Sequence, residues 1–171
     1  MKLLQDKVKT RVLSKKDLNL LPQIELIESR SQKNPWNTQS CRECFYEPYC
    51  LIGLFVAGKI QGFSVIYNTA VSTDLLTIGI DPAWQGRGLG ALLLGATLRE
   101  ALNCRANECF LEVRVSNVRA QKLYEKFGFE RTGIRKGYYR GENGEKPEDA
   151  ITMHLPDIRQ ILYASNVQKT T

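Results

Sequence analysis

No stretch of this sequence is apolar for long enough to cross a bilayer. Runs such as Ala91 to Leu94 fall far short of the roughly 20 residues that a spanning helix needs. The first residues, Met1 to Lys9, mix charged and apolar side chains and hold no apolar signal-peptide core, so a cytoplasmic protein is expected. No block of five or six like charges occurs, and basic pairs such as Lys15-Lys16 and Arg135-Lys136 stand isolated. The net charge of +6 suits an anionic cofactor, a ribosome or another nucleic-acid surface, or simply solubility. No basic stripe with interleaved aromatics accompanies it, so direct nucleic-acid binding is not expected, and without a spanning run no membrane partner is expected either.

Histidine is nearly absent, and His154 is the only one. Cysteine is odd in number, five residues at 41, 44, 50, 104 and 109, which argues for reduced thiols. Cys41-x-x-Cys44 has the spacing of half a zinc site, with Cys50 as a conceivable third ligand. A second ligand pair is missing, so closure by four ligands is not available. These cysteines read instead as small apolar residues on a helix and the following strand, and no metal is expected.

What is present is a chain of 171 residues, 43% hydrophobic and 25% charged, the profile of one globular domain. We expect a single domain with its core over about residues 7–155, and a tail over 156–171 that adds a short helix and a polar end. Lys7 to Val12 alternates like a strand, and Ser14-x-x-Asp17 resembles a capping signal for a helix running to about Arg30. Asn34-Pro35-Trp36 breaks the pattern before a short helix over Thr38 to Tyr46. Tyr49 to Val56 and Lys59 to Asn68 read as a hairpin around Ala57-Gly58, and Leu75 to Ile80 as a third strand closed by Asp81-Pro82. A helix then runs to about Asn103, a strand covers Glu108 to Val115 and a helix Asn117 to Phe127. Two last strands, Phe129 to Lys136 and Ala150 to Leu155, flank a polar loop at Gly141 to Pro147. No internal repeat or interdomain linker interrupts this mixed α/β order.

Gln85-Gly86-Arg87-Gly88-Leu89-Gly90 is the most informative hexapeptide. Glycines at alternate positions let the backbone approach a ligand closely and adopt conformations closed to other residues. They fall where a helix opens, so unpaired N–H groups and the positive end of the helix dipole suit a phosphate or pyrophosphate. Arg87 can add a charge-assisted contact. Gly86-x-Gly88-x-x-Ala91 also fits a dinucleotide fingerprint, with Glu112 about twenty residues on. Against that, Asp81 to Gln85 separates the turn from its strand, and too few parallel βα units follow. A merely structural helix start is the bland alternative.

Glu112 stands out in the strand Cys109 to Val115, where alternation puts Phe110, Glu112 and Arg114 on one face and Cys109, Leu111, Val113 and Val115 on the other. A carboxylate there is costly unless paired or used. Desolvation would raise its pKa and make it a general base, whereas an ion pair with Arg114 would make it structural. Tyr124 shares a helix face with Ala120 and Phe127, as a core aromatic would, and Asn117 can cap that helix.

Gln85-x-x-Gly88-x-Gly90 after a strand ending in Asp81-Pro82 resembles the acetyl-coenzyme A signature of the GNAT superfamily of N-acetyltransferases. Leu111-Glu112-Val113-Arg114-x-Ser116-Asn117, Leu123-Tyr124-Glu125 and Phe127-Gly128-Phe129 narrow it. With Arg135-x-x-Tyr138-Tyr139, Glu148-Asp149-Ala150, Met153 and the early Pro35-Trp36, they resemble the ribosomal-protein-alanine N-acetyltransferase subfamily, across roughly Val12 to Leu155. The resemblance implies a central mixed, mostly antiparallel sheet with two splayed parallel strands, flanked by helices. It implies acetyl-CoA as cosubstrate, with Gly86 to Ala91 at its pyrophosphate and Ile78, Gly79 and Ile80 along the acetyl and pantetheine portion. Gln85, Asn117 and Tyr124 complete that set. It also implies Glu112 as base through water, Tyr124 as acid to the thiolate, and Trp36, Tyr138 and Tyr139 at the acceptor. The acceptor so implied is a protein N-terminus, an alanine of a ribosomal protein. An α-amine, with pKa about 7.7–8.0 against about 10.4 for lysine, suits a modest base. Relatives acting on lysine or small amines, and a non-catalytic coenzyme A sensor, are the alternatives. A sensor would need neither Glu112 nor Tyr124.

Overall fold

The two runs rich in β-branched and aromatic residues, β2 (Tyr49–Val56) and β3 (Lys59–Asn68), pair antiparallel around Ala57-Gly58. Both turn residues have positive φ, 49° at Ala57 and 80° at Gly58, the turn geometry whose twist matches that of the flanking strands. The computed structural model that contains this hairpin describes residues 8–69, 71–141 and 144–160. Two compact units emerge, one of residues 1–68 and 76–97, the other of residues 69–75 and 98–171.

In the first unit, β1 (Val8–Leu13) lines the free side of β2, from Val8 opposite Val56 to Leu13 opposite Leu51. Ser14 and Asp17 close a reciprocal capping box, but it opens a 3₁₀ turn (Lys15–Leu20) in which Asp17 departs from helical geometry. The α-helix proper, α1 (Leu21–Ser31), follows with Pro22 in its first turn, where the missing N–H costs nothing. The single helix expected there is therefore two pieces. A second helix, α2 (Thr38–Glu43), is capped by Asn37 and stops short of the expected Tyr46. Leu21, Ile24 and Ile27 of α1 and Cys41 of α2 bury themselves with Leu51, Phe63 and Val65 of the hairpin. Each large side chain so removed from water contributes about 1.5–3 kcal/mol.

Strand β4 (Ser72–Ile80) begins earlier than the Leu75 expected from sequence. Its later residues belong to the first unit, where a Cβ on Gly62 of β3 would lie 2.9 Å from the Gly79 carbonyl oxygen, so only glycine allows this approach. Helix α3 (Leu89–Asn103) begins inside the glycine-rich turn and ends as expected.

In the second unit the early residues of β4 pair in parallel with β5 (Glu108–Arg114), from Ser72 and Glu108 to Leu75 and Leu111. Strand β7 (Glu148–Leu155) runs antiparallel to β5 and to β6 (Glu130–Tyr139), both strands longer than expected. The strand order is β1-β2-β3-β4-β5-β7-β6, mostly antiparallel with one parallel pair, and helices flank it. Helix α4 (Val118–Lys126) follows β5, and Cys109, Leu111 and Val113 are the buried alternates of that strand. The expected tail helix beyond Gln160, the residues before Val8, and positions 142–143 of the polar loop lie outside the described residues. Among the described residues no helix is long and apolar enough to cross a membrane.

Candidate active site

The glycine-rich turn of the first unit is held from behind by side chains. Asp81 accepts from the Ala83 N–H at 2.9 Å and from Arg30 at 3.1 Å, and Gln85 Nε2 donates to the Ile80 carbonyl at 3.0 Å. The Arg87 guanidinium lies 4.8 Å from the Trp84 ring centroid. Gly86 and Gly88 both have φ near +78°, and a Cβ at either would meet nothing within 4 Å. Backbone conformation, not packing, therefore selects glycine at these two positions. The N–H groups of Ala91 and Leu92 reach back to the Gly88 carbonyl at 3.1 and 3.2 Å, while the first N–H groups of any helix lack intrahelical acceptors.

Beside the Ile78-Gly79-Ile80 end of β4, α1 contributes a carboxylate that the sequence reading did not single out. Glu28 is 1% exposed, and its carboxylate accepts from the Trp36 N–H at 3.2 Å and from the Thr77 hydroxyl at 3.4 Å. Gln32 donates to Thr77 Oγ1 at 3.3 Å and to the Ile78 carbonyl at 3.1 Å. The chain Trp36–Glu28–Thr77–Gln32–Ile78 thus links two places that the sequence picked out separately. Burial pushes the Glu28 carboxyl up, against the pull of those two donors. A signal was available: Glu28 stands four residues after Ile24 and seven after Leu21, on the apolar stripe of its helix. Cys41 and Cys44 are buried in the same unit, where burial pushes their thiols up to about 11 and about 12.

In the second unit Glu112 occupies the middle of β5, with its side chain 30% exposed. Its partner is Arg135 of β6, at 3.0 Å, while Arg114 pairs with Glu148 at 2.7 Å. The structural alternative for Glu112, an ion pair, is met by Arg135 of β6, while Arg114, the partner that alternative named, pairs with Glu148 of β7. The Tyr139 hydroxyl donates to the Glu112 backbone carbonyl at 3.2 Å, and the Arg114 guanidinium lies 4.0 Å from the Tyr139 ring centroid. Burial pushes the Tyr139 phenol up to about 12, although Arg114 opposes it. Tyr138 meets Tyr139 edge-on at 5.1 Å and is 46% exposed. Tyr124 is 6% exposed with its ring 5.7 Å from that of Phe129, and burial pushes its phenol well above the usual tyrosine value. Asn117 caps α4 through the Ala120 N–H at 3.1 Å. Buried Gln121 donates to the Arg114 and Val115 carbonyls at 2.9 and 2.8 Å, and so fixes the exit of β5.

A family model described as the acetyltransferase (GNAT) family matches residues 18–129. The chain belongs to that family. It is thereby an acyltransferase of a class that uses acetyl-CoA. The [Ribosomal protein bS18]-alanine N-acetyltransferase of Escherichia coli K12 is 35% identical over 136 residues, covering 80% of this chain and 90% of the relative. N-alpha-acetyltransferase RimI of Mycobacterium tuberculosis H37Rv is 47% identical over 126 residues, covering 70% and 75%. The crystal structure of the ribosomal-protein-S18-alanine N-acetyltransferase from Escherichia coli superposes with a TM-score of 0.79 at 33% identity, covering 88% of this chain and 94% of that one. Within this GNAT chain, the matched span includes Gln85 to Ala91, Glu112, Asn117 and Tyr124, and stops before Arg135, Tyr138 and Tyr139.

Proposed function

We propose that this chain acetylates the α-amino group of a protein N-terminus, with acetyl-CoA as donor and the N-terminal alanine of a ribosomal protein as acceptor. The match over 80% of the chain to an enzyme named for the alanine of ribosomal protein bS18 carries this reading. It takes the chain as a single catalytic domain.

The residues suit the roles. Gly86 and Gly88, with open space beyond their α-carbons, and the start of α3 suit a pyrophosphate, with Arg87 as a further cation. Gln85, Leu89, Gly90, Ala91 and Asn117 complete this coenzyme A set. Ile78, Gly79 and Ile80 offer backbone groups to the pantetheine arm and an N–H to the thioester oxygen as it gains charge. Trp36, Tyr138 and Tyr139 are the residues assigned to the acceptor in this reading. The amine nitrogen bonds to the acetyl carbon, its proton passes through water to Glu112, and the departing sulfur takes a proton from Tyr124. No cysteine is called upon.

Free-thiol release from acetyl-CoA would be measured with peptides beginning Ala or Ser, with lysine-only peptides and with polyamines. Turnover on the Ala and Ser peptides is expected, with a loss of about 10²–10⁴-fold in Glu112→Gln. Turnover on lysine or polyamines alone would reject the acceptor. Tight coenzyme A binding without any turnover would leave a sensor.

A further inference from the structure

The carboxylate proposed to receive the acceptor's proton already holds a cation. Arg135 Nη1 lies 3.0 Å from Glu112 Oε1, and its guanidinium carbon lies 5.3 Å from the Tyr138 ring centroid. The surrounding charges are matched too: Glu148 by Arg114 at 2.7 Å and Asp149 by Lys136 at 2.9 Å. Asp74 stands opposite Phe110 on β5, and so on the face that carries Glu112 two residues further along. Burial pushes the Asp74 carboxyl up, and Arg135 is the charge that opposes this. Arg135 thus bears on two carboxylates of this face, Glu112 and Asp74, while Glu108 pairs with His154 at 2.7 Å.

Without Arg135, Glu112 and Asp74 would form an anionic surface that holds ammonium groups. With it, a protonated acceptor approaching Glu112 meets a fixed like charge, and a neutral amine meets none. We propose that Arg135 determines acceptor specificity, admitting α-amines and turning away lysine side chains and polyamines by denying a charged amine the Glu112 carboxylate. The consequence for acceptors follows from their basicity. Near pH 7.5 about a third of an α-amine is neutral, against about one part in a thousand of a lysine amine. Arg135 engages Oε1, and the partial exposure of Glu112 gives water a route to the carboxylate. This inference rests on the reading of Glu112 as the base.

Two peptides alike except for the reacting amine test it, one with a free N-terminal alanine and no lysine, the other N-acetylated with one lysine. In Arg135→Gln the kcat/KM preference for the alanine peptide is expected to fall at least tenfold, through a lower KM for the lysine peptide. Arg135→Lys, which keeps the charge, is expected to hold the preference within threefold. An unchanged preference in Arg135→Gln, or an equal loss in Arg135→Lys, overturns the proposal. Calorimetry of the lysine peptide on the protein saturated with coenzyme A gives a reading that needs no turnover. Binding at least fivefold tighter in Arg135→Gln than in wild type is expected, and no tightening overturns it. If the wild type acetylated neither peptide, the acceptor reading would fail, while this binding comparison would still decide the part of Arg135.

Discussion

Tyr124 is both a packed ring and a proposed acid, and substitutions can separate the two. Its burial against Phe129 predicts that Tyr124→Ala costs about 3–5 kcal/mol of stability, the usual loss for a deleted core aromatic. Tyr124→Phe keeps the ring and removes only the hydroxyl. With its phenol pushed up, Tyr124 stays protonated at any working pH, but the gap to a thiol of pKa about 8.5 is adverse. Its contribution would come from a placed hydrogen bond, so kcat in Tyr124→Phe should fall about 100-fold with little change in melting temperature. Stopped-flow turnover beside thermal unfolding checks this, and unchanged kcat would leave Tyr124 a core residue. Strand alternation made Glu112 stand out in the sequence, whereas the helix period read Tyr124 as a core aromatic and only the family resemblance implied a part for it in the site. The sequence did not show the partner of Glu112, since Arg135 is brought in by cross-strand register, and its own neighbour Arg114 was the nearer guess. Glu28 was missed for another reason: a helical carboxylate is so often solvated that only its spacing from Leu21 and Ile24 marked it.

Elements were most readable where local chemistry decides them. The β2–β3 hairpin matches its reading residue for residue, because two residues with positive φ at Ala57-Gly58 leave little choice of register. Strands β4, β6 and β7 ran past their expected ends, since pairing with a neighbour extends a strand beyond its own propensity. Two glycines make the contrast testable. At Gly88, with φ near +78° and open space, Ala should strain the backbone by about 1–2 kcal/mol and raise the KM for acetyl-CoA at least tenfold. At Gly62 a Cβ would press on the Gly79 carbonyl, so Gly62→Ala should lower the melting temperature without that selective rise in KM. Equal KM effects in both variants would mean that the turn has no special part in binding the donor.

Across the whole molecule, two buried or half-buried carboxylates pull the pH dependence of stability in opposite directions. Burial works against Glu148, yet the Ser116 groups and the Arg114 guanidinium hold its carboxyl at about 2, below the ordinary 4.5. A depressed value in the fold contributes stability that is present above pH 4.5 and is lost as pH falls toward 2. Glu28 has the opposite sign, since burial raises its carboxyl above 4.5 in the fold. Its contribution is full below pH 4.5 and declines as pH rises through the raised value, because the unfolded chain ionises first. Glu148→Gln should therefore cost about 2 kcal/mol at pH 7, and its curve should converge on the wild type near pH 2. In Glu28→Gln the lost hydrogen bonds shift the whole curve, but the decline above pH 4.5 disappears, so its slope there becomes more positive than that of the wild type. Urea unfolding midpoints from pH 2 to 7 distinguish the two. Parallel curves for Glu28→Gln and wild type above pH 4.5 would mean that Glu28 ionises in the fold as readily as in the unfolded chain. The bonds from Trp36 and Thr77 would then balance its burial.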